Sequence, residues 1–408
     1  MHASRQPARL RHALTAAMSL LLVGIATVPA HAETVREQQW HLDAMHAEEM
    51  WKASTGEGVT VAVIDSGVDK SIADLRGQVL DGVDYSGKEG DEHTDQEGHG
   101  TGMAALIAAT GARGESSGSH GLAPGTKILP IKMPYGKPGT LWTKSQAKKY
   151  AADMAKAIRF AAGSDAKVIN ISMANPDADY PELTAAVKHA LEKGKLIFAG
   201  VGNKGDVHNE KEYPAATSGV VGVSGVDQDA KPIKESQWGP QVDIAAPAKD
   251  IVNACSGGTQ LCEGTGTSAA TALASASAAL LWSKHPDWTN NQVLRVLLQT
   301  ASGNEKGLSR DDVIGYGVVR PRIALKDPGD PGPADEYPIP DFSYEDAEPV
   351  QPSPTQPAPS AAEAAPAASG SEDLTSATLW GGIGVASAVV AGVIATLFVF
   401  RRRRQTSA

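Results

Sequence analysis

A short apolar run, Val61-Ala62-Val63-Ile64, ends directly on a carboxylate and a turn, Asp65-Ser66-Gly67. Its length and its branched residues are typical of a strand that is buried on both faces, and the glycine marks where the strand stops. Similar apolar runs recur along the chain. The first strand is predicted to begin before the quoted run, at Val59. The predicted strands are Val59–Ile64, Lys127–Ile131, Lys167–Ile171, Leu196–Gly200 and Val220–Val223.

Stretches with the apolar spacing of helices separate these runs. The predicted helices are His99–Ala109, Thr143–Ala162, Glu182–Lys193, Thr267–Lys284 and Asn290–Ala301. Buried strands that alternate with helices predict an α/β fold, with a mostly parallel twisted sheet and helices on both faces. In such sheets the reacting groups collect at the carboxyl ends of the strands.

Composition excludes several classes of protein. The 408-residue chain is 41% hydrophobic, which is too apolar for a wholly disordered chain, and its two cysteines are too few for a disulfide scaffold. The formal net charge of −10 argues against a nucleic-acid-binding protein, because such proteins neutralise phosphates with Lys and Arg.

The start of the chain has the pattern of a targeting segment. Residues 1–32 combine three arginines with an apolar run, 13–28, and end in Ala30-His31-Ala32. This order predicts a secretory signal peptide that is cut after Ala32. A membrane anchor that is retained is the alternative interpretation.

The other end predicts a membrane span. Leu379–Phe400 carries no charge, and at about 1.5 Å per residue it crosses a hydrocarbon core of about 30 Å. We therefore predict a transmembrane helix over 377–400. The basic cluster Arg401–Arg404 opens the tail 401–408 and predicts that this tail is cytoplasmic. The preceding domain would then lie outside the cell membrane, on a single-pass protein.

The remaining chain divides into a domain and a linker. Residues 327–376 contain 11 of the 25 prolines and eleven Asp and Glu, without Lys or Arg. Such a segment buries too little apolar surface to fold alone, and it predicts an extended tether. Its aromatic part, around Tyr337 to Tyr344, is where docking on the domain is expected. Residues 33–326 are predicted to form one globular domain.

Two candidate catalytic residues, Asp65 and His99, are expected at the carboxyl edge of the predicted sheet. Asp65 ends the first strand, where a carboxylate can orient another group, although acids at such positions also cap turns. His99 lies in Gly98-His99-Gly100-Thr101-Gly102 at the start of a helix, where small neighbours allow close approach. A structural role is the alternative for this histidine as well.

Two more candidates lie where hydrogen-bond donors could stabilise a developing negative charge. Ser268 opens a helix of small residues, and the free N–H groups of a helix N-terminus favour an anion there. Asn203 follows a strand in Gly200-Val201-Gly202-Asn203, where its amide can donate to an oxyanion. The alternatives are an N-cap serine and a turn asparagine.

Together these residues supply what a serine nucleophile requires, namely a base, an orienting group for the base and oxyanion donors. The stretches that contain Asp65, His99 and Ser268, in that order, resemble the three signatures of the subtilisin-like serine proteases, peptidase family S8. Asn203 resembles the oxyanion asparagine of that family, followed by Tyr213-Pro214-Ala215. The resemblance covers about Gln39 to Leu325.

The resemblance implies a role for each residue. Asp65 would orient His99, His99 would act as general base and then acid, and Ser268 would attack the peptide carbonyl. Asn203 and the N–H of Ser268 would bind the oxyanion. Six further residues would contact the substrate: Ser172, Met173, Ala174, Ala199, Gly200 and Val201.

Some positions depart from the family pattern. Gly102 stands where a second histidine is frequent, Ala272 stands where proline is usual, and Ala174 replaces a glycine. None of these changes removes a candidate catalytic group, so an active serine endopeptidase that cleaves protein or peptide substrates is expected. The methyl group of Ala174 would narrow the substrate cleft.

The layout of signal peptide, protease domain, proline-rich tether and anchor is similar to that of the mycosins, the membrane-anchored proteases of type VII secretion. This resemblance implies cleavage of exported proteins beside a membrane secretion complex. The alternative is a structural scaffold of such a complex, with secondary proteolysis. Gly384, Ala388 and Gly392 form a stripe that either packs on a partner helix or only reflects composition.

Cys255 and Cys262 lie close together in a domain that is predicted to be exported, just before Ser268. A disulfide is expected there, with two free thiols as the alternative. No His and Cys cluster has metal-ligand spacing, so neither a metal nor a cofactor is predicted.

Overall fold

A computed structural model describes residues 33–135, 143–175, 178–303 and 309–344. The predicted signal peptide, transmembrane helix and basic tail lie outside the described residues, as does most of the predicted linker. Among the helices in the described ranges, none has the length and apolar character needed to cross a bilayer.

The centre of the structure is a parallel sheet of seven strands in the order β2-β3-β1-β4-β5-β6-β7. Strands β4, β5 and β6 are buried along their whole length, which confirms the expectation of an α/β sheet that is covered on both faces. The strands are β1 Thr60–Asp65, β2 Val83–Asp84, β3 Lys127–Lys132, β4 Val168–Ile171, β5 Leu196–Gly200, β6 Val221–Val226 and β7 Ile244–Pro247.

Helices follow β2, β3 and β4, whereas β5, β6 and β7 succeed one another without a helix between them. The longer helices are α4 His99–Ala108, α5 Lys144–Gly163, α6 Pro181–Glu192, α7 Thr267–Lys284 and α8 Asn290–Gln299. Helix α4 packs against α7, and α5 packs against α6. Helix α7 is buried on nearly all sides, because its Ala, Ser and Thr residues let neighbouring backbone approach closely. It contacts β4, β5, β6 and β7, so it fixes where its first residues lie against the sheet.

The N-terminal segment packs on the domain through three short helices, α1 Val35–Gln38, α2 Trp40–Ala44 and α3 Ala47–Trp51. The side-chain amide of Gln39 donates to the carbonyl oxygens of His120 at 2.8 Å and Val252 at 3.2 Å. The indole N–H of Trp40 donates to the carbonyl oxygen of Lys249 at 3.0 Å. These contacts tie the segment to the chain at His120 and at residues 249–252.

A hairpin carries both cysteines. It is formed by β8 Ile251–Ala254 and β9 Leu261–Gly264, which pair antiparallel. Cys255 and Cys262 form the expected disulfide across it. Because β9 leads directly into α7, the hairpin lies next to Ser268 in the chain.

The packed structure extends beyond the predicted domain end at residue 326. After helix α9, Pro321–Lys326, residues 327–344 run along α8. The guanidinium of Arg295 donates to the carbonyl oxygens of Pro331 and Pro333 at 2.8 and 2.9 Å. The buried Tyr337 donates through its hydroxyl to the carbonyl oxygen of Gly219 at 2.8 Å. The prolines predicted an extended tether from residue 327 onwards, but residues 327–344 make bends and a turn against the domain, and α8 supplies donors for their carbonyl groups.

Candidate active site

The predicted residues meet at one cleft at the carboxyl edge of the sheet. Asp65 ends β1, His99 is the first residue of α4, and Ser268 is the second residue of α7. His99, Ser268 and Asn203 line the same cleft, whose volume is about 260 Å³. Asp65 lies behind it, fully buried. Elements that are far apart in sequence therefore bring all four polar groups together.

Asp65 holds the histidine ring in one orientation. Its Oδ1 accepts hydrogen bonds from His99 Nδ1 and from the N–H of Ser66, both at 2.7 Å. With Nδ1 in use, Nε2 is the ring nitrogen that remains for the cleft. Gly100 permits this approach, because a Cβ there would lie 2.2 Å from the carbonyl oxygen of Gly67 and 2.9 Å from the Cβ of Asp65.

Two opposing effects set the pKa of His99. Burial of the ring lowers this pKa, whereas the Asp65 carboxylate raises it through its charge and its hydrogen bond. The charge of Asp95 adds to the second effect, and the pKa of His99 lies above its usual value. His99 thus combines a fixed orientation with increased basicity, as a general base requires.

Asp95 is a residue of the site that the sequence analysis missed. Its Oδ1 accepts from the hydroxyl of Ser66 at 2.8 Å and from the N–H of Gly98 at 2.9 Å. Its Oδ2 accepts from the N–H and the hydroxyl of Thr101, at 2.9 and 2.6 Å. Asp95 therefore joins the end of β1 to the first turn of α4. The N-cap of α4 is Gly98, so Asp95 lies before the position at which a capping acid is recognised from sequence.

The hydroxyl of Ser268 lies against the end of β4. Its Oγ donates to the carbonyl oxygen of Ser172 at 3.4 Å, and the hydroxyl of Ser172 donates to the carbonyl oxygen of Ser268 at 3.1 Å. The N–H of Ser268 belongs to the first turn of α7, where a helix offers no acceptor for it. It is therefore a donor that the helix leaves for a group in the cleft.

Asn203 has its amide orientation fixed by α7. Its Oδ1 accepts from the N–H of Thr267 at 2.8 Å, which leaves Nδ2 as the donor towards the cleft. Gly266 leaves room for this amide, because a Cβ there would lie 3.2 Å from the side-chain nitrogen and oxygen of Asn203. Two N–H donors, from Asn203 and Ser268, thus border the same cleft.

The six predicted substrate-binding residues lie at the ends of β4 and β5. Five of them are buried and Ala174 is partly exposed. Gly200 packs on α7, because a Cβ there would lie 2.9 Å from the hydroxyl oxygen of Thr267. The residues that line the cleft do not include these six, so their contact with substrate stays a prediction.

Tyr135 was also missed by the sequence analysis. It lies just past the carboxyl end of β3 and lines the cleft with its ring centre 5.2 Å from that of His99. Burial raises the pKa of its hydroxyl to about 12, so the tyrosine is neutral at physiological pH. Its place at a strand end is the signal that could have identified it.

Within the described ranges, the group that could offer metal ligands is formed by Asp81, Glu92 and His93. Asp81 is almost fully exposed, and His93 Nε2 lies 3.3 Å from its carboxylate and 3.4 Å from that of Glu92. A hydrogen bond between His93 and Asp81 accounts for this proximity, and the group gives no reason to assign a metal.

Residues 56–317, more than half of the chain, match Peptidase S8, the Subtilase family. The chain is a subtilase. The thermophilic serine proteinase of Bacillus sp. (strain AK1) is 34% identical over 257 residues, 63% of this subtilase and 59% of the relative. Subtilisin E of Bacillus subtilis (strain 168) is 32% identical over 250 residues, 61% of each protein. The subtilase thus spans about three fifths of the length of these relatives.

Solved structures place this subtilase near the mycosins. The MycP3 protease of the type VII (ESX-3) secretion system has a TM-score of 0.62 and 32% identity, covering 73% of this chain and 90% of that one. MycP1 of the ESX-1 type VII system has a TM-score of 0.64 and 28% identity, covering 76% and 91%. The predicted resemblance to S8 proteases, and to the mycosins among them, is confirmed.

Proposed function

We propose that this subtilase is a serine endopeptidase in which Asp65, His99 and Ser268 form the catalytic triad. One observation carries the proposal. The hydrogen bond of 2.7 Å from His99 Nδ1 to the buried Asp65 leaves His99 Nε2 available in the cleft that Ser268 and Asn203 also line. A base, an orienting group, a hydroxyl and two oxyanion donors are the complete set that acyl transfer requires.

In the first half of the reaction, the hydroxyl of Ser268 turns from the carbonyl oxygen of Ser172 towards His99. Nε2 takes its proton as Oγ attacks the peptide carbonyl. The negative charge that develops on the carbonyl oxygen is stabilised by the N–H of Ser268 and Nδ2 of Asn203. His99 then gives the proton to the leaving amine, and an acyl-enzyme on Ser268 results.

In the second half, water enters the cleft and His99 Nε2 takes one of its protons. The hydroxide attacks the acyl carbonyl, the same two donors hold the oxyanion, and the proton returns to Ser268 as the acid leaves. Asp65 keeps its hydrogen bond to Nδ1 and stabilises the imidazolium.

A fluorophosphonate probe tests this proposal, because it reacts with an activated serine in an open cleft. We expect the full chain to be labelled and the Ser268→Ala and His99→Ala variants to stay unlabelled. Ser256→Ala is a matched control, because this hydroxyl donates to Thr101 near the site and has no role in the reaction. Labelling that persists in folded Ser268→Ala would overturn the proposal.

We further propose that the enzyme is anchored in the cell membrane and acts outside it on exported proteins, in association with type VII secretion. Support comes from the apolar segments of the sequence and from the similarity to MycP1 and MycP3, which belong to such systems. A C-terminal tag that protease reaches only after the cells are permeabilised is the expected result. A tag that is cleaved on intact cells would contradict it.

A scaffold of a secretion complex is the second candidate. It is favoured by the Ser268 hydroxyl, which donates to Ser172 in this structure, and by the burial of most residues predicted to bind substrate. The test is export in a deletion strain that is supplied with the Ser268→Ala chain. Restored export supports the scaffold, and export as low as in the deletion strain refutes it.

A further inference from the structure

A fully buried amide lies in the strand that ends beside Ser268. Asn170 belongs to β4, between Ile169 and Ile171, and its side chain has no exposed surface. Burying an amide among apolar neighbours is unfavourable unless its hydrogen-bonding groups are used. The partners of Asn170 therefore indicate why a polar residue occupies this position.

Three hydrogen bonds of equal length form one chain through this amide. The hydroxyl of Ser275 donates to Asn170 Oδ1, Asn170 Nδ2 donates to the hydroxyl oxygen of Ser172, and that hydroxyl donates to the carbonyl oxygen of Ser268, each at 3.1 Å. All donors point the same way. Since Ser172 Oγ accepts from Asn170, its own proton is directed to Ser268. Asn170, Ser172 and Ser275 are called the polar clamp below.

The polar clamp holds α7 against β4 at two points. One is the carbonyl of Ser268 and the other is the hydroxyl of Ser275, two turns further along the same face of the helix. Fixing both points sets the rotation and the axial position of the first turn of α7. The Oγ and the N–H of Ser268 both belong to that turn.

Other buried hydroxyls of α7 find an acceptor within the helix itself. Ser275 therefore does not need Asn170 merely to have its hydroxyl hydrogen-bonded. Ser277 donates to the carbonyl oxygen of Leu273, and Thr271 donates to that of Thr267, each at 2.7 Å within the helix. A serine in a helix is readily satisfied in this way. Ser275 instead crosses to the sheet, where it uses the oxygen of Asn170.

We propose that Asn170 is a positioning residue, which acts through Ser172 and Ser275 to hold Ser268 where it reacts. The inference rests on the proposed function, since it assigns a partner to the proposed nucleophile. Asn170 itself does not touch the cleft, and its effect passes through the placement of α7. Loss of placement lowers the rate of attack, whereas contacts that bind substrate are unchanged.

The test compares two serines of α7 in the full chain. Ser275→Ala removes one bond of the clamp, and Ser277→Ala removes an equally buried hydroxyl that bonds only within the helix. We expect Ser275→Ala to slow fluorophosphonate labelling and to lower kcat about threefold to tenfold, with KM unchanged. Ser277→Ala should match the wild type. Asn170→Ala should lose about 10²-fold, and adding Ser275→Ala to it should cost little more.

The outcomes separate the two proposals. If the wild-type chain reacts through Ser268 and Ser275→Ala reacts as fast as Ser277→Ala, the clamp is refuted and the protease stands. If the wild-type chain is inert, both are refuted. Thermal unfolding supplies the structural control, because both serine variants should stay folded at the assay temperature, although Ser275→Ala should lose more stability since it leaves the buried Oδ1 of Asn170 without this donor. The comparison of the two serine variants decides the outcome without Asn170→Ala, whose rate is interpreted only if that variant folds.

Discussion

On the His99 side of the cleft the contacts involve charges, whereas on the Ser268 side they involve neutral groups. Asp65 and Asp95 together accept hydrogen bonds from the ring, from two backbone N–H groups at the start of α4 and from Ser66. Around Ser268, the partners are hydroxyls, amides and carbonyls, as in the bond from the N–H of Thr267 to Asn203.

The difference follows from what each side must do. A base has to gain a proton during the reaction, and nearby carboxylates stabilise the imidazolium that forms. A nucleophile and its oxyanion donors need a fixed geometry, and a carboxylate beside them would repel the developing oxyanion. Carboxylates beside His99 stabilise the imidazolium, and neutral groups beside Ser268 fix its geometry without repelling the oxyanion. The comparison also predicts that only the His99 side controls the pH dependence.

Asp65→Asn should have the largest effect. The amide of asparagine would donate to Nδ1, which places the ring proton on Nε2 and removes the base. We expect kcat/KM for a peptide substrate to fall about 10⁴-fold. Asp81→Asn, an exposed carboxylate paired with His93, is the control and should leave kcat/KM unchanged. A loss of less than tenfold in Asp65→Asn would mean that charge on this side is unnecessary.

Asn203→Ala tests the neutral side. Loss of one oxyanion donor should lower kcat about 10² to 10³-fold, with a small change in KM. The pH at which activity falls on the acid side should stay where it is, because the side chain carries no charge. Asn209→Ala is the control. Asn209 lies in the same loop as Asn203, but its amide bonds to the backbone of Trp238. A shifted pH profile in Asn203→Ala would contradict the division between the two sides.

Local patterns predicted the central fold well. The five predicted strands and five predicted helices are present, with ends that differ by a few residues, since hydrophobic periodicity reports burial directly. Strand β7 was missed because its four residues, Ile244-Ala245-Ala246-Pro247, include two alanines and end in proline, and neither residue is typical of strands. The short helices α1 to α3 were missed because four or five residues are too few to show a helical period.

The candidate site was predicted residue by residue, but its supports were not. Motifs identified Asp65, His99, Asn203 and Ser268, because each lies at a strand end or helix start. Asn170 and Ser275 are 105 positions apart, and only the packing of α7 on β4 brings them together. Tyr135 differs, because its place just past the end of β3 was a usable sequence signal, although its contact with the ring of His99 is visible only in the structure.

Asp95→Asn should have a moderate effect that depends on pH. Asp95 raises the pKa of His99, so removing its charge lowers that pKa, and the neutral base then persists to lower pH. The acid limb of kcat/KM should move to lower pH. The rate at the optimum should fall about threefold to tenfold, because an amide cannot accept all four bonds that the carboxylate accepts. Asp91→Asn, in the same loop, is the control. An acid limb that stays in place would show that Asp95 acts by geometry alone.

Ser275→Ala should lower the rate about as much as Asp95→Asn but leave the pH profile unchanged, and this difference separates the two sides most clearly. Its loss of about threefold to tenfold should be the same at every pH, because the polar clamp contains no titratable group. In the double variant Asp95→Asn/Ser275→Ala, the two losses should multiply and the acid limb should match that of Asp95→Asn alone, since the sites share no partner. The measurement is kcat/KM across pH for the four chains. A double variant that loses much more or much less than the product would show that α4 and α7 respond as one unit, and the two sides would then have to be treated as a single support.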